Sequence, residues 1–87
     1  MEIREVFARN LRKARLAQGL SQEELAHRAE IDRTYVSSLE RCVYAPGIDV
    51  VDKLARVLNM QAADLLRVDA KGSARGAGKP ATGQRKK

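Results

Sequence analysis

Residues 21–40 read SQEELAHRAEIDRTYVSSLE, and this stretch decides the fold. Ser21 followed three residues later by Glu24 spells a capping box, in which the hydroxyl accepts from the Glu24 amide and the carboxylate reaches back to the Ser21 amide. Leu25, Ala26 and Ala29 then recur at helical spacing. The pattern breaks around Glu30 and Ile31, and Asp32 can cap a second helix running from Arg33 to about Glu40. Val36 and Leu39 face inward on that helix, which leaves Arg33, Thr34, Ser37 and Ser38 facing outward. Two short helices joined by a tight turn, the second with its donors and acceptors turned out, suit the major groove of DNA.

The flanking sequence supplies three more helices. Upstream, residues 2–18 place Ile3, Phe7, Leu11, Ala14 and Gln18 on one stripe, with Val6 and Ala17 beside it, and Arg4, Arg9, Arg12 and Lys13 mostly off it. Gly19 closes this helix in the left-handed conformation that a residue without Cβ adopts cheaply, and Leu20 packs behind it. Downstream, Tyr44 and Pro46 lie in a loop that folds back on the core. Residues 47–58 form helix four, with Ile48, Val51, Leu54, Ala55 and Leu58 as the inner stripe and Asn59 as its left-handed stop. A last short helix at 62–66 turns Leu65 and Leu66 inward. The reading is all-α, with no strand signal and no internal repeat.

Composition bounds the function. At 87 residues the chain holds one small domain, and it carries one cysteine, Cys42, so neither an intrachain disulfide nor a cysteine-built metal site is available. No apolar run is long enough to span a membrane and no signal-peptide stretch opens the chain, which points to a soluble cytoplasmic protein. The net charge of +6 is uneven: residues 69–87 hold six basic residues and one acid, and residues 1–68 hold eleven and ten. Any positive face on the folded part therefore comes from arrangement rather than excess. Residues 69–87 contain no large apolar side chain and cannot offset their ordering entropy, so the domain is assigned to 1–68 and a disordered basic tail to 69–87.

The run Gly19-Leu20-Ser21-Gln22-Glu23-Glu24-Leu25-Ala26, with Leu39-Glu40-Arg41 and Leu54-Ala55-Arg56-Val57-Leu58, resembles the Cro/phage-repressor (XRE-type) helix-turn-helix domain over about residues 3–68. Asp32-Arg33-Thr34-Tyr35-Val36-Ser37 with Glu40-Arg41 is most similar to the controller proteins of restriction–modification systems. Three features depart from the family pattern: Glu30 and Cys42 stand where Gly, or Gly and Asn, are usual, and controllers generally lack a basic tail of this length. The resemblance implies a five-helix Cro/repressor-like domain that binds double-stranded DNA as a homodimer on an inverted repeat and regulates transcription, in many cases its own.

Carried over residue by residue, the resemblance matches Arg33, Thr34 and Ser38 to base-reading positions, with Ser37 a fourth candidate. An arginine there can fork onto O6 and N7 of guanine, and the Thr34 methyl suits a thymine methyl. Gln22 matches a phosphate-binding position at a helix N-terminus, where free amides and the dipole favour an anion. Tyr35, Arg41, Arg12 and Arg28 are further phosphate candidates. Arg15 and Glu40 match a pair that bridges helix one and the end of helix three. The family pairs through the C-terminal part of the fold, where Val50 and Val57 lie off the inner stripe of helix four, Met60 follows it and Val68 has no evident core partner. The competing role for Val57 and Met60 is to fill gaps under helix five.

Other chemistry finds little support. Ser21 and Asp32 are already explained as caps, and a lone His27 makes neither a metal nor a catalytic site, so no enzyme, cofactor, metal or small-molecule ligand is expected. The alternative from a different class is an antitoxin or other interaction protein whose tail folds on a partner. Such tails present apolar anchors at regular spacing, and residues 69–87 have none.

Overall fold

A computed structural model describes residues 2–68; the basic segment 69–87 lies outside the described residues. The order is α1 (Ile3–Ala17), α2 (Gln22–Ala29), α3 (Arg33–Glu40), α4 (Ile48–Val57) and α5 (Ala62–Leu65), with no strand among the described residues. Helix α2 packs on α3 and α4, α1 supports α3 and α5, and α4 closes against α5. Phe7 and Leu11 of α1, Leu25 of α2, Val36 and Leu39 of α3, Leu54 of α4 and Leu65 of α5 are all fully buried, so every helix contributes to one core.

Four of the helices end alike. Gly19, Glu30, Cys42 and Asn59 have φ of 72°, 59°, 64° and 59°. The amide that follows each one reaches back into the last turn: Leu20 to the Arg15 carbonyl at 3.1 Å, and Ile31 to Ala26, Val43 to Ser38 and Met60 to Ala55 at 2.9 Å each. This is the six-to-one bond of a Schellman closure, which satisfies carbonyls that the helix leaves open. Glu30 and Cys42 thus hold the left-handed geometry that Gly would adopt without steric cost.

Several expected core positions lie at the surface instead. Ile48, placed on the inner stripe of α4, is 86% exposed. Ile3 and Leu66, also read as inward, are substantially exposed. The physical reason for the two isoleucines is shared. Each is the first residue of its helix, where Cα–Cβ bonds tilt toward the N-terminus and carry the side chain past the end of the core. Leu66 follows the last residue of α5, beyond the turn that buries Leu65. Asn10 fixes that end: its Nδ2 donates to the carbonyls of Leu65 at 2.9 Å and Arg67 at 2.8 Å, with a longer contact to Asp64 at 3.5 Å.

Val50, Val57 and Met60, expected at a dimer surface, are half-buried and pack against the core. That packing is compatible with the gap-filling role, and the part of each side chain that stays exposed leaves its place at a dimer surface open. Of the four residues in that group only Val68 is well exposed.

Candidate nucleic-acid interface

The α2–α3 unit is built from its caps. The Glu24 amide donates to Ser21 Oγ at 3.0 Å and the Ser21 amide donates to Glu24 Oε1 at 2.9 Å. These bonds hold the Glu24 carboxyl below its ordinary pKa, the backbone amide of Ser21 being the main cause. At α3 the Thr34 amide donates to Asp32 Oδ1 at 2.7 Å and lowers the Asp32 carboxyl in the same way. Because Glu24 and Ser21 satisfy each other's amides, the amides of Gln22 and Glu23 are left open at the start of α2.

Arg33 and Thr34 are exposed on α3, as is Arg41 at its C-cap, and Ser37 is half-exposed between them, at spacings that put all four on one outward face. Ser38 is not on that face. It is 5% exposed and turned toward the core, so it has little surface to offer a base. The helical phase explains the correction: Ser38 stands one turn after the half-buried Tyr35, whereas Ser37 stands one turn after the exposed Arg33. Tyr35 is half-buried, its ring tilted against Tyr44 with centroids 6.2 Å apart.

A buried ion pair fixes the far end of α3. Arg15 Nε donates to Glu40 Oε2 at 2.7 Å and Nη2 to Glu40 Oε1 at 3.0 Å, while Nη1 donates to the Leu20 carbonyl at 2.8 Å. The two side chains are only 9% and 3% exposed, and Glu40 raises the Arg15 pKa further above its usual value, so the guanidinium stays charged at every working pH. Geometry this complete is what lets a buried pair hold together, since each charge alone would be costly to bury. Gln22 joins the network by donating Nε2 to Glu40 Oε1 at 3.1 Å. The sequence gives no sign of that bond, because Gln22 and Glu40 are brought together only when α2 docks on the end of α3.

A shallow polar depression between the two helix starts is lined by Arg15, Ser21, Gln22, Glu23 and Arg33. It brings together one base-reading candidate, Arg33, and one phosphate candidate, Gln22, beside the open amides of α2. Glu23, which the sequence reading passed over, also lines it; its place as the second residue of a capped helix was the available signal. Arg12, Arg28 and Arg41 are exposed but do not line the depression. Among the described residues no cluster of three or more metal-ligating side chains occurs, and no helix is long and apolar enough to cross a membrane.

This arrangement has parallels in known proteins. A hypothetical transcription factor of Neisseria meningitidis is 42% identical over 65 residues, covering 75% of this chain; the chain spans about six-tenths of that relative, 61% of its length. The restriction–modification controller protein C.AhdI of Aeromonas hydrophila superposes with a TM-score of 0.69 at 37% identity, covering 71% of this chain and 94% of that one. SinR, a master regulator of biofilm formation solved in complex with DNA, superposes with a TM-score of 0.68 at 31% identity over 70% of this chain and 98% of its own. A helix-turn-helix family model matches residues 11–65, from the middle of α1 through the last residue of α5. The chain therefore belongs to the helix-turn-helix family, in its Cro/repressor-like (XRE-type) form.

Proposed function

We propose that the chain is a sequence-specific, DNA-binding transcriptional regulator of the cytoplasm that acts as a homodimer on an inverted-repeat operator and, like a controller protein, regulates its own promoter. One observation carries the reading. Helix α3 is capped at one end by Asp32 and pinned at the other by the Arg15–Glu40 pair, and between them its outward face presents Arg33, Thr34 and the half-exposed Ser37 beside the polar depression at the start of α2. In this reading those three side chains face base edges. The open amides of α2 and Gln22 receive a phosphate, and Arg12, Arg28, Tyr35 and Arg41 add backbone contacts. Likeness to C.AhdI supports the controller assignment, and likeness to SinR solved on DNA supports the duplex as partner. Homodimerisation follows from information content: one such helix reads a few base pairs, and a second half-site is needed to discriminate one operator from a genome.

Selection of bound duplexes from a random pool tests it. The expected outcome is an enriched inverted repeat whose half-site centres lie about 10 bp or a multiple apart. A protein that shows no preference over random duplex in competition overturns the proposal.

A further inference from the structure

Two tyrosines meet beside the outward face of α3. Tyr35, in the first turn of that helix, is half-buried and packs against the core. Tyr44, in the loop between α3 and α4, keeps 55% of its surface exposed and is no part of the core. The rings are tilted by 49° with centroids 6.2 Å apart, within the range at which aromatic pairs attract. The backbone explains the meeting. Cys42, at φ 64°, closes α3, and the Val43 amide that follows donates to the Ser38 carbonyl at 2.9 Å. At the loop's other end Gly47 caps α4, its carbonyl accepting from the Val50 and Val51 amides at 3.1 Å each. The loop is held at both ends, and Tyr44, next after Val43, is laid against Tyr35. Neither tyrosine hydroxyl bonds a described residue.

We infer that Tyr44 is a positioning residue for DNA binding: its ring holds that of Tyr35, so that the Tyr35 hydroxyl is set in place for a backbone phosphate before the duplex arrives. The inference rests on the reading of the chain as a DNA-binding regulator in which Tyr35 contacts the backbone, and it names what prepares that contact. A tyrosine ring uncovered on the surface of a helix turns about two side-chain bonds, and fixing it at the moment of binding lowers affinity. Here the core holds one flank of Tyr35 and Tyr44 the other, so the ring is fixed when the chain folds. The open hydroxyl points the same way. A half-buried tyrosine usually finds a hydrogen-bond partner, and with none inside the chain the acceptor that suits it is external. Tyr44 has no core to fill, and its one aromatic partner is Tyr35, so its ring serves that contact.

Two variants of the full chain, Tyr44→Phe and Tyr44→Ala, test the inference first without DNA. The chain has two tyrosines and no tryptophan, so in both variants the tyrosine band of the near-ultraviolet circular dichroism belongs to Tyr35 alone. That band reports fixed packing of the ring. It is expected to stay strong in Tyr44→Phe, which keeps the ring contact, and to be largely lost in Tyr44→Ala, with far-ultraviolet spectra alike because Tyr44 lies outside the core. Equal bands in the two variants overturn the inference. Duplex binding is the second measurement. Tyr44→Ala is expected to weaken it about three- to tenfold, and Tyr44→Phe to bind as wild type does. In a Tyr35→Phe background, which keeps the ring and removes the hydroxyl, Tyr44→Ala is expected to cost nothing further. A Tyr44→Ala variant that binds as tightly as wild type overturns the inference, as do losses that add, which would make Tyr44 a contact in its own right. A phosphate contact carries no base information, so the same loss is expected on random duplex. The two readings therefore fail separately: a wild type without sequence preference overturns the regulator reading, while the losses on random duplex still decide the role of Tyr44.

Discussion

Arg33 opens α3, where its side chain is exposed, lines the polar depression and makes no salt bridge with the described residues. If it reads a guanine, Arg33→Ala costs about 1–3 kcal/mol of operator binding and relaxes preference at one base position. A base-by-base substitution series of the operator against both proteins checks this, and a loss that is uniform across all sequences would make Arg33 a phosphate contact. Glu30 offers a stability test at the same scale. It is exposed and held at φ 59°, so it makes the turn between the two helices in a conformation that disfavours a Cβ. Glu30→Gly should raise unfolding stability by about 0.5–1 kcal/mol, the relief of left-handed strain outweighing the greater freedom of the unfolded chain. Urea denaturation reads the change as a shift of midpoint at constant slope, and a lower midpoint refutes it. Ser38 shows what one residue's neighbours hide from the sequence. A serine after a serine carries no hydrophobic mark of direction, and Val36 and Leu39 flank both alike, so it is the half-burial of Tyr35 one turn before Ser38, against the exposed Arg33 one turn before Ser37, that shows which of the two turns in.

Helix ends are the elements on which this fold depends most, and their chemistry predicts a pH response. Glu24 and Asp32 have lowered carboxyl pKa values because backbone amides bond their ionised forms. Their contribution is therefore complete above the ordinary carboxylate pKa and is lost as pH falls through the lowered folded values. Stability should decline on acidification below about pH 4, and Glu24→Gln should flatten that decline by removing the titrating carboxyl of the capping box. Thermal melts of both proteins between neutral and acid pH decide it; parallel curves would show that the capping box adds nothing to the acid response. Helices α2 and α3 were legible to the residue because caps and breaks are written locally: Ser21 with Glu24, and Asp32 before Arg33. The inner stripe of α4 was legible for Val51, Leu54 and Ala55 but failed at Ile48. Periodicity reports which side of a helix a residue lies on, not whether a neighbouring element reaches far enough to cover it. The Gln22–Glu40 bond was invisible for a related reason, since it joins residues eighteen apart through packing.

At the scale of the whole molecule, the described residues form a body about 35 Å long with one core shared by all five helices, and the proposed homodimer presents two such bodies to the duplex. A rigid pair of this kind has one operator geometry. Inserting about 5 bp between half-sites, half a helical turn, should reduce binding toward that of a single half-site, and about 10 bp should restore alignment on one face of the duplex. Gel shifts on a spacer series check this, and equal binding at every spacing would mean that the two units are loosely joined. The Asn10 clamp has a consequence of its own. Helix α5 is four residues long, too short to persist by its own hydrogen bonds, and it stays in place through Leu65 in the core and one amide side chain bridging from α1. It should therefore behave as a latch that opens without the rest of the domain unfolding. Amide exchange around residues 64–66 is expected to be faster than in α1, and faster still in Asn10→Ala. Exchange of these amides at the global unfolding rate would show that the latch and the domain open as one unit.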